Sequence, residues 1–304
     1  MAIQTVKATV NGTEYSLTYN STSGKWEATL TAPSTSSFTK SGGYYGVQVA
    51  VTDNAGNTTT VNQSDATLGT SLRLTVKEKV KPTITIVNPG AGSYITNNKP
   101  SISIQLRDND SGISISTLSI KIDSGSAVTN TSTGVTCTAV TGGYDVTYIP
   151  QTALADGQHT ITVNISDNDG NAADATTRTF NVDTLPPSLN VSTPADGLVT
   201  NNPAGTVSGT TNDELSSPVT VTIKLNSVDQ GTVTVSSGAF SKAVTYAEGT
   251  NTIVITAKDA LGQATTITRT VTLDTTPPSI TAIELVPNPV DAGATYVIKV
   301  TVTG

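Results

Sequence analysis

Along most of its length the chain alternates apolar and polar positions with a period of two, the signature of strands with one buried face. The runs SISIQL (101–106), LSIKID (118–123), VTVTIKL (219–225) and TITRTVTL (266–273) each predict a half-buried strand. No long segment shows the three-and-four apolar spacing of an amphipathic helix, so the pattern predicts no helix longer than about two turns. Gly, Asn, Asp and Ser separate the runs at intervals that place about seven short strands in each 90 to 100 residues, the arithmetic of a two-sheet sandwich.

The pattern repeats. GVQVAVTDNAGNTTTV (46–61) recurs as HTITVNISDNDGNAADA (159–175) and as NTIVITAKDALGQATTI (251–267). Each copy is an alternating strand ending in Asp (Asp53, Asp167, Asp259), followed by a turn closed by Gly (Gly56, Gly170, Gly262). A second recurring element follows each unit: VKEKVKPTITI (76–86), VDTLPPSLNV (182–191) and LDTTPPSITAI (273–283). Proline donates no ladder hydrogen bond and fixes φ, so these segments predict stiff boundaries. They divide the chain into units at 1–80, 81–184 and 185–275, with 276–304 as the first two strands of a further unit.

Composition sharpens the fold and narrows the function. Thr supplies 58 of the 304 residues, while charged residues are 13% and aromatic residues 4%. β-Branched side chains suit a pleated surface, and helix-forming residues are scarce, so the fold class is all-β. A net charge of −7 with four Arg leaves no basic surface for phosphates or anionic lipid. Nucleic acid and membrane are therefore not expected as partners. Cys137 is alone, so no intrachain disulfide forms. The opening MAIQTVKATV lacks a basic and then apolar export signal, so either the chain is made and used without that export route or Met1 is not the natural start.

The strings VTDNAGN (51–57), SDNDGN (166–171), VDTLPP (182–187) and LDTTPP (273–278) resemble the last hairpin turn and the interdomain linker of bacterial immunoglobulin-like domains. The likeness covers essentially the whole chain and implies tandem immunoglobulin-like β-sandwiches in an elongated rod. Such modules form stalks on bacterial surface adhesins and decorate tailed-phage virions, and some hold calcium at their junctions. The resemblance extends to accessory proteins of phage and prophage tails. It implies a virion location, or alternatively an extracellular, cell-surface one. The partners it implies are other virion or cell-surface proteins, or cell-surface glycans. A stalk fragment of an adhesin and a carbohydrate-binding accessory module of a secreted enzyme are the alternative roles.

Catalysis is not expected. The single histidine, His159, heads a strand whose repeat carries Asn251, and no nucleophile elbow, phosphate loop or histidine metal motif is present. No cofactor is required, but calcium is a candidate ligand. In an immunoglobulin-like topology the loops RDNDSG (107–112) and SDNDGN (166–171) share one end of the sandwich. That would gather Asp108, Asp110, Asp167 and Asp169, an oxygen set suited to a hard cation. A junction site is expected where Asp183 approaches Asp213, Glu214 and Asp259. The first junction, with Glu78 and Lys79 in place of that aspartate, is expected to be the poorer site. Asn, Asp and Gly also make turns with no ion at all. Alternation places Trp26, Ala28 and Leu30 on one face, with Trp26 as a core anchor. In 279–304 one strand, a turn and a second strand would leave Ile280, Ile283, Leu285, Ile298 and Val300 on one apolar face. That face is expected to dock on a partner chain or to continue into a further domain.

Overall fold

The computed structural model describes residues 2–231 and 233–304. The chain divides into two compact units, 1–182 and 183–304. Among the described residues the helical pieces are two short 3-10 turns, Ser41–Gly43 and Gly69–Leu72, as the alternation predicts.

The first unit opens with a six-stranded sheet ordered Lys25–Glu27, Thr13–Asn20, Ile3–Val10, Tyr45–Asp53, Thr58–Val61, with Arg73–Leu74 also on Tyr45–Asp53. Its buried apolar side chains are few: Val6, Ala8, Tyr45 and Val76. Trp26 corrects the sequence reading. It lies half-buried on the edge strand with its ring 5.8 Å from Tyr19, while Ala28 and Leu30 are exposed. No second apolar layer covers that face, because residues 28–40 run without regular strands.

A sandwich follows in the same unit. One sheet is ordered Ile113–Ile122, Gly157–Asp167, Thr176–Val182, Tyr94–Ile95, and the other Val135–Val140, Gly143–Tyr148, Ile102–Arg107, Thr83–Asn88. Both sheets contribute to one core, in which Ile102, Leu106, Ile120, Ile161, Val163 and Phe180 are fully enclosed. The period-two alternation makes this core: Ile102, Ile104 and Leu106 face in, while Ser103 and Gln105 face out.

The second unit repeats the plan. Ser188–Thr193, Ala204–Asn212, Ala239–Thr245 and Val235–Ser236 form one sheet. The other is ordered Leu198–Thr200, Ala264–Leu273, Gly249–Lys258, Thr220–Leu225, Val228–Asp229. Val207, Ile223, Ile253, Ile255 and Val271 are enclosed between them. In both sandwiches the first strand switches sheets, so that Tyr94–Ile95 runs parallel to Thr176–Val182 and Leu198–Thr200 parallel to Ala264–Leu273. Among the described residues the strands Ser279–Val286 and Val297–Thr303 pair only with each other.

Candidate metal centres

The repeated turn positions the first carboxylate of each cluster. At the end of Gly157–Asp167, Oδ1 of Asp167 accepts the Asn171 amide (2.8 Å) and Oδ2 accepts the Asn171 side-chain amide (2.6 Å), while the Asp167 amide donates to the Asn171 carbonyl. Asp259 repeats the arrangement with the Gln263 amide (2.8 Å), and Asp53 with the Asn57 amide (2.9 Å). Gly56, Gly170 and Gly262 close the three turns at φ of 88°, 95° and 94°, a region that side chains rarely adopt.

A second loop in each sandwich supplies another aspartate. Oδ1 of Asp108 accepts the amides of Asp110 and Gly112 (3.0 and 2.8 Å). Oδ1 of Asp213 accepts those of Leu215 and Ser216 (3.0 and 2.8 Å). The third group comes from the chain entering the sandwich: Glu78 in the first unit and Asp183 in the second. The result is one constellation built twice. Glu78, Asp108 and Asp167 each offer an oxygen within 4.8 Å of the others, and so do Asp183, Asp213 and Asp259.

This differs from the sequence reading in three ways. Glu78 is a full member of the first cluster, its longer side chain doing what Asp183 does in the second, so the first junction is not deprived of its carboxylate. Asp110 and Asp169 lie outside the cluster and instead accept backbone amides of other segments. Both oxygens of Asp110 accept the Ser36 amide at 2.9 Å, and Oδ2 of Asp169 accepts the Glu78 amide at 2.9 Å. They fasten the N-terminal segment to the sandwich. Glu214 is exposed and outside the second group, its neighbour Asp213 being the residue turned inward.

Two observations bear on whether a cation fits. Asp183 is 2% exposed, yet its Oδ2 has no hydrogen-bond partner. A buried carboxylate oxygen without a donor carries a desolvation cost that a cation would offset. The hydroxyl of Ser216, three residues after Asp213, is likewise buried without a partner. The electrostatics agree. Burial, with the neighbouring charges of Asp108 and Asp110, holds the Glu78 carboxyl above the usual carboxylate range even though the Ser111 amide donates to it at 2.7 Å. An all-oxygen set of carboxylates and loop carbonyls suits calcium or another hard divalent ion.

Three family models match different parts of the chain: a bacterial Ig-like domain over residues 2–68, a bacterial Ig domain over 82–163, and domain B of glucodextranase over 187–275. No curated protein matches. Among solved structures, the fibronectin(III)-like modules of Clostridium thermocellum CbhA align at 16% identity over 63% of this chain and 94% of theirs, with a TM-score of 0.33. Dimeric latent PorU from Porphyromonas gingivalis aligns at 16% identity over 76% of this chain, with a TM-score of 0.29, and this chain spans only 24% of that one. Extracellular cadherin domains 1–4 of protocadherin gamma B7 align at 16% identity over 89% of this chain and 65% of that one, with a TM-score of 0.36. Residues 2–68 and 82–163 are thus similar to bacterial immunoglobulin-like domains set in tandem.

Proposed function

We propose that the chain is a non-enzymatic structural and adhesive module whose two complete sandwiches are each locked by a divalent cation, calcium in the first instance. The observation that carries this reading is the buried, partnerless Oδ2 of Asp183 inside a trio of carboxylates that the first unit repeats with Glu78, Asp108 and Asp167. Glu78 or Asp183 would hold the ion from the segment that enters the sandwich, and the two aspartates from the loops. The ion would neutralise three mutually repelling carboxylates and tie the entering chain to the end of the sandwich that follows it. The stiffened module would present its surface to another protein or to a glycan. Many copies on one particle would turn weak contacts into useful avidity.

A cation that binds only the folded state adds about 2.7 kcal/mol at a hundredfold excess over its dissociation constant. Melting the chain in EDTA and in millimolar calcium should therefore separate the midpoints by several degrees, and calorimetric titration should count two ions per chain. Identical midpoints would overturn the reading.

The setting we favour is a phage or phage-derived tail, from the resemblance of the linker and turn strings. Immunogold labelling of particles or of cells separates a virion location from a cell-surface one. Bacterial immunoglobulin-like domains are typical of the latter. A second reading, an accessory module of a carbohydrate-active enzyme, is favoured by the glucodextranase match over 187–275. Retention of the chain on immobilised glucans would support it over the first.

A further inference from the structure

The strand Gly157–Asp167 carries the chain's one histidine near its head, and the ring is held at both nitrogens. Nδ1 lies 2.7 Å from Oδ2 of Asp123, and Nε2 lies 2.8 Å from the carbonyl of Ala155. An ionised carboxylate and a peptide carbonyl only accept hydrogen bonds. A neutral imidazole has one N–H and can serve one of them, whereas imidazolium serves both. Asp123 is itself pinned, since its Oδ1 accepts the Thr160 amide and its own amide donates to the Thr160 carbonyl, each at 2.8 Å, at a φ of 52°. The clasp joins the connection after Ile113–Ile122, the connection before Gly157–Asp167, and the head of that strand. Its histidine is 8% exposed, with the ring 5.6 Å from that of Phe180.

The second unit builds the same clasp from neutral groups. Asn226, at a φ of 49°, exchanges the same pair of bonds with Thr252, both at 2.8 Å. Its side-chain amide donates to Oδ1 of Asn251 at 3.0 Å, and Nδ2 of Asn251 donates to the Ala247 carbonyl at 2.7 Å. Position by position, Asn226 stands for Asp123, Asn251 for His159 and Ala247 for Ala155. A primary amide donates and accepts without any change of protonation.

We propose that the sandwich of the first unit carries a proton-operated clasp, closed while the imidazolium of His159 bridges Asp123 and Ala155 and loosened when the ring loses its proton. The Asn226–Asn251 clasp of the second unit is indifferent to pH over the same range. Loss of the proton leaves one of the two acceptors without its donor and removes the attraction to Asp123. The freed elements border a cavity of about 300 Å³ lined by Ile122, Gly125, Val128, Tyr148 and Leu154, so the loosening reaches one wall of it.

The charged group on the ring is Asp123. The connection before the strand presents the Ala155 carbonyl and carries Asp156, and the neighbouring strand presents uncharged Phe180. Burial alone disfavours charge on the ring. The hydrogen bond to the Ala155 carbonyl, that to Asp123 and the charge of that carboxylate outweigh it and hold the pKa above the ordinary 6.5. A folded-state pKa above the unfolded one gives stability that is fully present below pH 6.5 and lost as the pH rises through the folded value.

A single histidine makes the test direct. In the full chain labelled with 15N and 13C, the imidazole should titrate with a midpoint above 6.5 and show both nitrogens protonated at pH 6. A midpoint at or below 6.5, or one neutral tautomer at pH 6, overturns the proposal. Hydrogen exchange at the Thr160 amide, referenced to the Thr252 amide of the second unit, should lose protection as the pH rises, about tenfold for each unit by which the midpoint exceeds 6.5. A constant ratio also overturns it. The double variant Asp123→Asn/His159→Asn, which copies the second unit, should flatten that ratio, and a pH-dependent ratio in it counts against the clasp. Should the variant fail to fold, the two measurements on the unaltered chain decide.

Discussion

At the scale of single residues, the clusters turn on carboxylates that the metal-free fold would do better without. Glu78 is held above the usual carboxylate range by burial, with the charges of Asp108 and Asp110 adding to it. A carboxyl whose folded pKa is raised stabilises at low pH, and that contribution is lost as the pH rises through the folded value. Glu78→Gln keeps an acceptor for the Ser111 amide and removes the charge. In EDTA at pH 7 it should raise the stability of the first unit, and in calcium it should cancel that unit's gain, both read by hydrogen exchange at Val163. Asp183→Asn should do the same for the second unit, read at Ile255. A variant less stable than the parent in EDTA and still responsive to calcium would count against both sites. Asp108, Asp167, Asp213 and Asp259 are legible in the sequence because each occupies a recurring loop position with Gly or Ser three residues on. Glu78 is not, since the change of residue type breaks the linker repeat. The capture of Asp110 by the Ser36 amide depends on a contact 74 residues away that no local spacing encodes.

At the scale of elements, the turn that follows Asp53, Asp167 and Asp259 in the three repeats is the best-read feature of the chain, because one Asp and one Gly carry its geometry. Gly262 sits at φ 94°, and only the Lys258 side chain lies near the place a methyl group would occupy, so Gly262→Ala costs backbone strain rather than a clash. The expected loss is about 1–3 kcal/mol, measured by urea unfolding. A change under about 0.5 kcal/mol would show that the turn relaxes freely. The Asp53 carboxyl is held below its ordinary 3.8 by the Asn57 side-chain amide first and the Asn57 backbone amide next. Its contribution is therefore present above pH 3.8 and lost as the pH falls through the depressed value. Asn57→Ala should move the Asp53 carboxyl resonance back toward 3.8. The strands themselves follow the alternation closely. SISIQL and VTVTIKL lie within a residue of Ile102–Arg107 and Thr220–Leu225. Less legible is the N-terminal segment, where Trp26 shares a strand of three residues and nothing in the alternation shows that no apolar layer will cover it.

At the scale of the whole molecule, the segment 279–304 lies outside the core of the second unit, to which it belongs. Its pairing of Ile283 with Val300 and Leu285 with Ile298 repeats that of Ile84 with Leu106 and Ile86 with Ile104 in the first unit. There the second sheet encloses the apolar face, and Ile86, Ile104 and Leu106 are at most 1% exposed. Here the corresponding face of Ile283, Leu285, Ile298 and Val300 is 64%, 42%, 57% and 50% exposed, and no strand of the sandwich pairs with either edge. A two-stranded ribbon is at best marginally stable in water, because it orders the same backbone per residue as a sandwich while burying little apolar area. In a chain shown to be monomeric, hydrogen exchange at Ile298–Val302 should therefore be far faster than at the enclosed strand Gly249–Lys258. Protection should rise to the level of that strand only when something covers the apolar face. Equal protection in the monomer would show that the ribbon stands alone, and the face would then need no partner and no further strands.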